Sequence, residues 1–269
     1  MTNASRPPAL SIITVALDLA TTEFAETAAS LATLMNQHGR RQGMIEWLVV
    51  PGIKPPASLQ ERYPQARILP AQSKGIYEAM NAGLNHAAGA YIWFLNGGDE
   101  LVSLEHAQLL LEALHNEPAA DFIYTDSVEA QPDGSDWHKP SRDHQQISRG
   151  MFTHHQAMVY RRAVIDAEQY PSQYRIAADY AFTLKHLQKA RHVLYLTRPL
   201  CRFRTGGFSS QRHRLGQREQ RQIRREILGT SGLTECWTTL RQWLSQQLRH
   251  LAPALWQRLR VMAPQRQID

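Results

Sequence analysis

Cysteine is scarce in this chain, and lysine vanishes from its last quarter. Two cysteines, Cys201 and Cys236, stand among 269 residues. They lie far apart with no metal-ligand spacing, which argues against a disulfide framework or a thiolate-bound metal. Long apolar runs are also missing. The longest, Ala87–Leu95, is too short to cross a bilayer, and the mean hydropathy is -0.43. The opening MTNASRPPALSIITVALD holds only a short apolar stretch that reads as a strand, so no signal peptide is expected and the cytoplasm is the default. Neither an internal repeat nor a low-complexity linker is visible. What remains is one large domain, or one domain with an appendage, whose 43% hydrophobic content suffices for a packed core.

Charge is distributed unevenly. From Arg202 to Asp269 there are thirteen arginines, no lysine and four acids, a net +9. The whole chain carries +6, so the residues before Arg202 carry -3. The basicity belongs to a C-terminal segment and implies an anionic partner: a membrane surface, a nucleic acid or a polyanionic polymer.

Apolar runs at Leu10–Val15, Trp47–Val50, Ala66–Leu69, Tyr91–Leu95, Phe122–Asp126, Gln156–Tyr160 and Val193–Leu196 read as strands. Helical spacing marks Glu23–Gln37, Ile76–Ala88, Glu105–His115, Asp179–Ala190 and Arg212–Leu228, and Pro55-Pro56 opens a short helix or loop. Pro132-Asp133-Gly134 is a turn signal for a hairpin within Val128–Trp137. Alternation of strand and helix in the first half predicts a mostly parallel, doubly wound α/β sheet, and the hairpin makes it mixed.

The most informative stretch is KGIYEAMNAG at Lys74–Gly83, followed by YIWFLNGGD at Tyr91–Asp99. The first is a small-residue helix start beside a lysine. The second is a buried strand ending in two glycines and a carboxylate. Ligands of open α/β sheets bind at the carboxyl ends of strands. Glycines allow close backbone approach, and an aspartate can hold a hard cation. The pattern predicts a phosphate-bearing ligand with a divalent metal, Mg or Mn.

KGIYEAMNAGL…AAGAYIWFLNGGD resembles the corresponding block of family 2 inverting glycosyltransferases, most closely the bacterial colanic-acid and exopolysaccharide enzymes. SIITVA at Ser11–Ala16, HQAMVYRR at His155–Arg162, ADYAFTLKHL at Ala178–Leu187 and GGFSS at Gly206–Ser210 follow the family's order. The resemblance implies a GT-A nucleotide-sugar-binding fold over residues 1–210, a mostly parallel mixed sheet flanked by helices, with residues 211–269 as a basic helical extension. It implies Asp99 as the ligand of a divalent cation bridging a donor diphosphate, and Asp179 as the general base; the ordinary reading of Asp179 is a helix N-cap. Thr14, Lys74, Gly75, Asn81, Asn96 and Gly97 would face the nucleotide-sugar donor, although Lys74 could be a plain surface lysine. His155 and Gln156 would lie on the acceptor or diphosphate side, or be structural. Gly206-Gly207-Phe208-Ser209 would be a lid or a plain loop. Three departures stand out: Ser73 and Pro51-Gly52-Ile53-Lys54 replace positions where the family usually carries aspartates, and Ala178 replaces the glutamate before Asp179.

In the C-terminal segment, Trp237, Leu240, Leu244, Leu248, Leu251, Leu255 and Leu259 recur at helical spacing among arginines, with Pro253 breaking any single long helix. Such a stripe suits an interfacial helix on anionic lipid, or packing on the catalytic domain. No nucleic-acid motif accompanies the arginines, so nucleic acid is not an expected partner. The expected function is transfer of a sugar, with inversion, from a nucleoside-diphosphate donor to a lipid-linked oligosaccharide, at the inner face of the plasma membrane. The alternative is a catalytically silent relative that scaffolds polysaccharide assembly.

Overall fold

The computed structural model describes residues 7–39, 44–206 and 212–232, together with positions 235, 240, 244, 247 and 251. Along the chain run β1 (Leu10–Ala16), α1 (Thr22–Leu34), β2 (Ile45–Pro51), α2 (Leu59–Arg62), β3 (Ala66–Ile68), α3 (Ile76–His86), β4 (Tyr91–Phe94), β5 (Glu100–Leu101) and α4 (Leu104–Asn116). There follow β6 (Phe122–Ala130), β7 (Asp136–Lys139), β8 (Met158–Arg161), α5 (Arg162–Ile165), α6 (Ala178–Lys189), β9 (Val193–Arg204) and α7 (His213–Leu228).

The strands form one sheet in the order β3-β2-β1-β4-β8-β6-β9-β5, with β7 paired to β6 as a hairpin. β3, β2, β1 and β4 are mutually parallel; β8 is antiparallel to β4 and β6, and β9 runs parallel to β6. Alternate side chains explain the layering. Ile12, Trp47, Val49, Trp93 and Val159 pack with Phe24 and Leu31 of α1 and Leu110 and Leu114 of α4. Ile13, Leu48, Val50, Phe94 and Tyr160 pack on the other face with Met80 and Leu84 of α3 and Phe182 and Leu184 of α6. Strands covered on both faces are largely apolar, which is why WLVV and YIWF carry no alternation and why the two polar residues of SIITV, Ser11 and Thr14, are buried with hydrogen-bond partners. Each large side chain buried this way contributes about 1.5–3 kcal/mol. Thr21 and Ser103 cap α1 and α4 through their hydroxyls, which accept from the amides of Phe24 and His106.

The structure corrects several expected boundaries. α1 ends at Leu34 and continues as a π-helical turn, Met35–Gly39. His155–Ala157 form a 3-10 turn, so β8 starts at Met158 rather than Gln156. β6 and β9 outrun the expected Phe122–Asp126 and Val193–Leu196. β9 pairs with β6 twice, through Val193–Leu196 and again through Cys201–Arg204. Pro199 falls in the irregular stretch between the two pairings, where no ladder amide is required.

α7 is amphipathic in an unusual sense: its buried positions are Gly216, Glu219, Ile223 and Arg224. They pack toward α6, while Arg214, Arg218 and Arg225 are exposed. Gly207-Phe208-Ser209 of the expected lid, and most of the Trp237–Leu259 stripe, lie outside the described residues. Leu240, Leu244 and Leu251 of that stripe are helical and 46%, 51% and 81% exposed.

Candidate active site

The carboxyl ends of β1, β2 and β4 are tied together by backbone hydrogen bonds from Gly52 to Ala16, from Gln72 to Pro51 and from Gly97 to Val15. Gly97 permits the last of these, since a Cβ there would lie 2.6 Å from that of Ala16. Gly75, with φ +144°, caps the backbone entry to α3 in a conformation that disfavours any L side chain. Exposed Lys74 stands just before it. Asn96 sits at the end of β4, and its buried Oδ1 has no hydrogen-bond partner among the described residues. Lys74, Gly75, Asn96 and Gly97 thus line one edge.

Two expected donor contacts are placed elsewhere. Thr14 is buried within the sheet and its hydroxyl accepts from the Trp47 indole at 3.0 Å, which leaves it no path to a ligand. Asn81 uses both ends of its amide on the backbone of Tyr170, donating to the carbonyl at 2.9 Å and accepting from the amide at 2.8 Å. It is a brace for the loop before α6.

Asp179 lies in the first turn of α6 but is not its cap. The N-cap is Ala177, and Asp179 is the second residue of the helix. Its Oδ1 accepts from the Tyr180 amide at 2.8 Å and faces the Tyr77 hydroxyl at 3.4 Å. Burial pushes its carboxyl up to about 6, against the lowering effect of those hydrogen bonds, with the negative charge of Glu219 adding to the rise. A carboxyl near neutrality is suited to taking a proton.

Glu219 reaches this loop from α7. Its Oε1 accepts from the Arg175 amide at 2.9 Å, and its Oε2 from the amides of Ile176 and Ala177 at 2.8 and 2.9 Å. The Tyr77 hydroxyl donates to the Ile176 carbonyl at 2.6 Å. Behind the loop Tyr170 stacks on Tyr77 and Phe182, and its hydroxyl meets His155 Nε2 at 2.8 Å. His155 is buried beside Phe94, and its pKa falls to about 3 by burial alone, so it is a neutral core histidine. Sequence reasoning missed Tyr77 and Glu219. The signal for Glu219 was present: it sits four residues before Ile223, on the apolar side of a helix otherwise crowded with arginine.

Asp99 turns inward. Gln156 Nε2 donates to its Oδ2 at 2.8 Å and the Arg204 amide to its Oδ1 at 3.0 Å. The residue is 5% exposed, and burial pushes its carboxyl up to about 7. Gln156 is fixed in turn, its carbonyl accepting from the Trp93 indole at 2.7 Å. A cation bridging a diphosphate needs a carboxylate oxygen that faces the ligand. Each oxygen of Asp99 accepts one hydrogen bond from within the protein, Asn96 offers a neutral acceptor, and no group of three or more His, Cys, Asp or Glu capable of holding a metal occurs among the described residues. A divalent cation here would take most of its ligands from the donor's own phosphates and from water, with at most one carboxylate from the protein.

Comparison with known proteins agrees with the fold. Residues 56–177 match the model of glycosyl transferase family 2. Among curated proteins none matches the chain. The structure of S. aureus TarS 1-349 in complex with UDP-GlcNAc is similar with a TM-score of 0.62 at 17% identity, over 91% of this chain and 75% of that one. The mannosyltransferase PcManGT from Pyrobaculum calidifontis, in complex with GDP-Man and Mn2+, is similar with a TM-score of 0.58 at 13% identity, over 96% and 74%. At such identities the likeness establishes architecture. The chain therefore has the GT-A glycosyltransferase fold, and its segment 56–177, which holds Lys74, Asn96, Asp99 and His155, matches glycosyl transferase family 2.

Proposed function

We propose that this protein is a glycosyltransferase that moves a sugar from a nucleoside-diphosphate donor to a hydroxyl of a lipid-linked oligosaccharide, with inversion, in exopolysaccharide assembly. The single observation that carries the reading is the place of Asp179, in the first turn of α6 on a GT-A sheet with its Oδ1 3.4 Å from the Tyr77 hydroxyl of α3. Asp179 takes the proton of the acceptor hydroxyl. The hydroxyl oxygen forms its bond to the anomeric carbon as the bond from that carbon to the diphosphate breaks, and the nucleoside diphosphate leaves with the electron pair. Attack opposite the leaving group inverts the anomeric centre. Asn96 Oδ1 receives a donor hydroxyl, and Lys74 with the uncapped amides of α3 faces the phosphates, since a helix N-terminus favours an anion. Neighbours of this fold bear the descriptions UDP-GlcNAc and GDP-Man complexes, which supports the donor class.

No described helix is long and apolar enough to cross a membrane. Exposed Leu240, Leu244 and Leu251, with exposed Arg214, Arg218 and Arg225, support peripheral attachment to anionic lipid. The test of the catalytic reading is release of nucleoside diphosphate from a panel of UDP- and GDP-sugars, with and without manganese, by wild type and Asp179→Asn. No turnover of any donor by wild type, or equal turnover by both, refutes it.

A further inference from the structure

Helix α7 reaches the backbone that leads into the candidate base through Glu219. Glu219 is buried, its two oxygens accept three consecutive backbone amides, and those amides belong to Arg175, Ile176 and Ala177, the last residues before α6. Three amides pointing at one carboxylate form an anion nest that a neutral side chain of the same shape cannot fill, because an amide group presents one acceptor and one donor. A hydrogen bond to a charged group is worth more than a neutral one, and orphaning such a donor is costly. The same loop is also held by α3, through Tyr77 to the Ile176 carbonyl and, earlier in the loop, through Asn81 to the backbone of Tyr170. The start of α6 is therefore clamped between α3 and α7.

We propose that Glu219 is a positioning residue for Asp179: its carboxylate locks the Arg175–Ala177 loop to α7, fixes where α6 begins, and so makes the first helix of the arginine-rich segment a working part of the active site. This rests on the reading of Asp179 as the base. The titratable and charged groups that act on Asp179 are the hydroxyl of Tyr77 from α3 at 3.4 Å and, electrostatically from further off, the carboxylate of Glu219 from α7 and the hydroxyls of Tyr160 from β8 and Tyr170 from the loop before α6. No Lys, Arg or His among the described residues forms an ion pair with it. Glu219 is an anionic neighbour, and it acts on Asp179 in two ways, by geometry and by charge.

The experiment compares wild type, Glu219→Gln and Glu219→Ala in the full chain. Amide hydrogen exchange at residues 175–177 and NMR titration of the Asp179 carboxyl need no substrate. The donor that wild type hydrolyses best then serves for the pH–rate profile. Exchange at the three amides is expected to quicken by about tenfold or more in both variants, since hydrogen-bonded amides exchange only on opening. The Asp179 titration, and the acid limb of kcat, are expected to move to lower pH by about half a unit or more in Glu219→Gln, because a like charge has been removed. kcat is expected to fall about tenfold or more with KM for the donor nearly unchanged, the signature of a misplaced group rather than lost binding. If Glu219→Ala does not fold, Glu219→Gln decides. Unchanged protection of the three amides, or an unmoved titration and acid limb, overturns the proposal. If Asp179→Asn retains full turnover while exchange and titration respond as described, the clamp stands and the assignment of the base fails instead.

Discussion

Replacing Glu235 by alanine should unfold this protein more readily than any surface substitution, although Glu235 lies far beyond the family-matched segment. Arg224 and Glu235 form a bidentate pair, Nε to Oε1 at 2.9 Å and Nη2 to Oε2 at 2.6 Å, with side-chain exposures of 1% and 2%. Thr230 donates to the same carboxylate at 2.7 Å. Removing the acid leaves a guanidinium in the interior without its counter-ion. Breaking one side of a buried pair costs about 3–5 kcal/mol, whereas replacing both partners by apolar groups of similar size is close to neutral. For a domain of about 150–250 residues each kcal/mol shifts Tm by about 2–4 °C, so a fall of about 6–20 °C is expected. Urea unfolding at pH 7 of wild type, Glu235→Ala and Arg224→Met/Glu235→Leu measures the contrast. The sign with pH is also fixed. The Arg224 hydrogen bonds and charge hold the Glu235 carboxyl below its usual range, in spite of burial. Its contribution is therefore present above the unfolded-state pKa and lost as pH falls through the folded one. A single variant costing under about 1 kcal/mol, or a double variant as unstable as the single one, would refute the reasoning. Because Tyr180 lies against Arg224 and follows Asp179, the loss should be accompanied by a fall in turnover.

Further expectations concern the site and the surface. Asp179→Asn should lower turnover about 10²–10⁴-fold with donor binding kept, and wild-type kcat should rise with pH through about 6 as the carboxyl loses its proton; a flat profile between pH 5 and 8 would exclude it as the base. Asp99→Asn should leave any manganese dependence of nucleotide binding unchanged in thermal-shift titrations, because both oxygens of Asp99 are already engaged within the protein; its loss would show that the carboxylate turns outward to a cation. Thr14→Val should cost about 1–3 kcal/mol by orphaning the Trp47 indole, with donor Kd unaltered, as chemical unfolding and calorimetry would show. Arg214, Arg218 and Arg225 replaced together by glutamate should weaken sedimentation with phosphatidylserine vesicles, and salt should do the same to wild type, each basic residue being worth about 1 kcal/mol at such a surface; wild type that ignores anionic vesicles at low salt disproves the docking.

Sequence alone determined the elements that depend on local pattern. Runs such as Ile12–Val15, Trp47–Val50 and Tyr91–Phe94 are apolar on both faces because helices cover both, and that constraint is legible residue by residue. The edge formed by Lys74, Gly75, Asn96 and Gly97, and the place of Asp179 at a helix start, were legible for the same reason: they follow from where strands stop and helices begin. Orientation was not legible. Whether Asp99 faces a ligand or Gln156, whether Asn81 reads a donor or braces Tyr170, and whether His155 is a site or a core residue depend on partners 57, 89 and 15 positions away. The extra pairing of β9 beyond Pro199, and the approach of Glu219 to Arg175–Ala177 across more than forty residues, depend likewise on contacts that no window along the chain contains. Periodicity reports which face of an element is buried. Only the packed chain decides what a buried polar group meets, because that partner is chosen by distance in space and by the cost of leaving a donor or a charge unmatched.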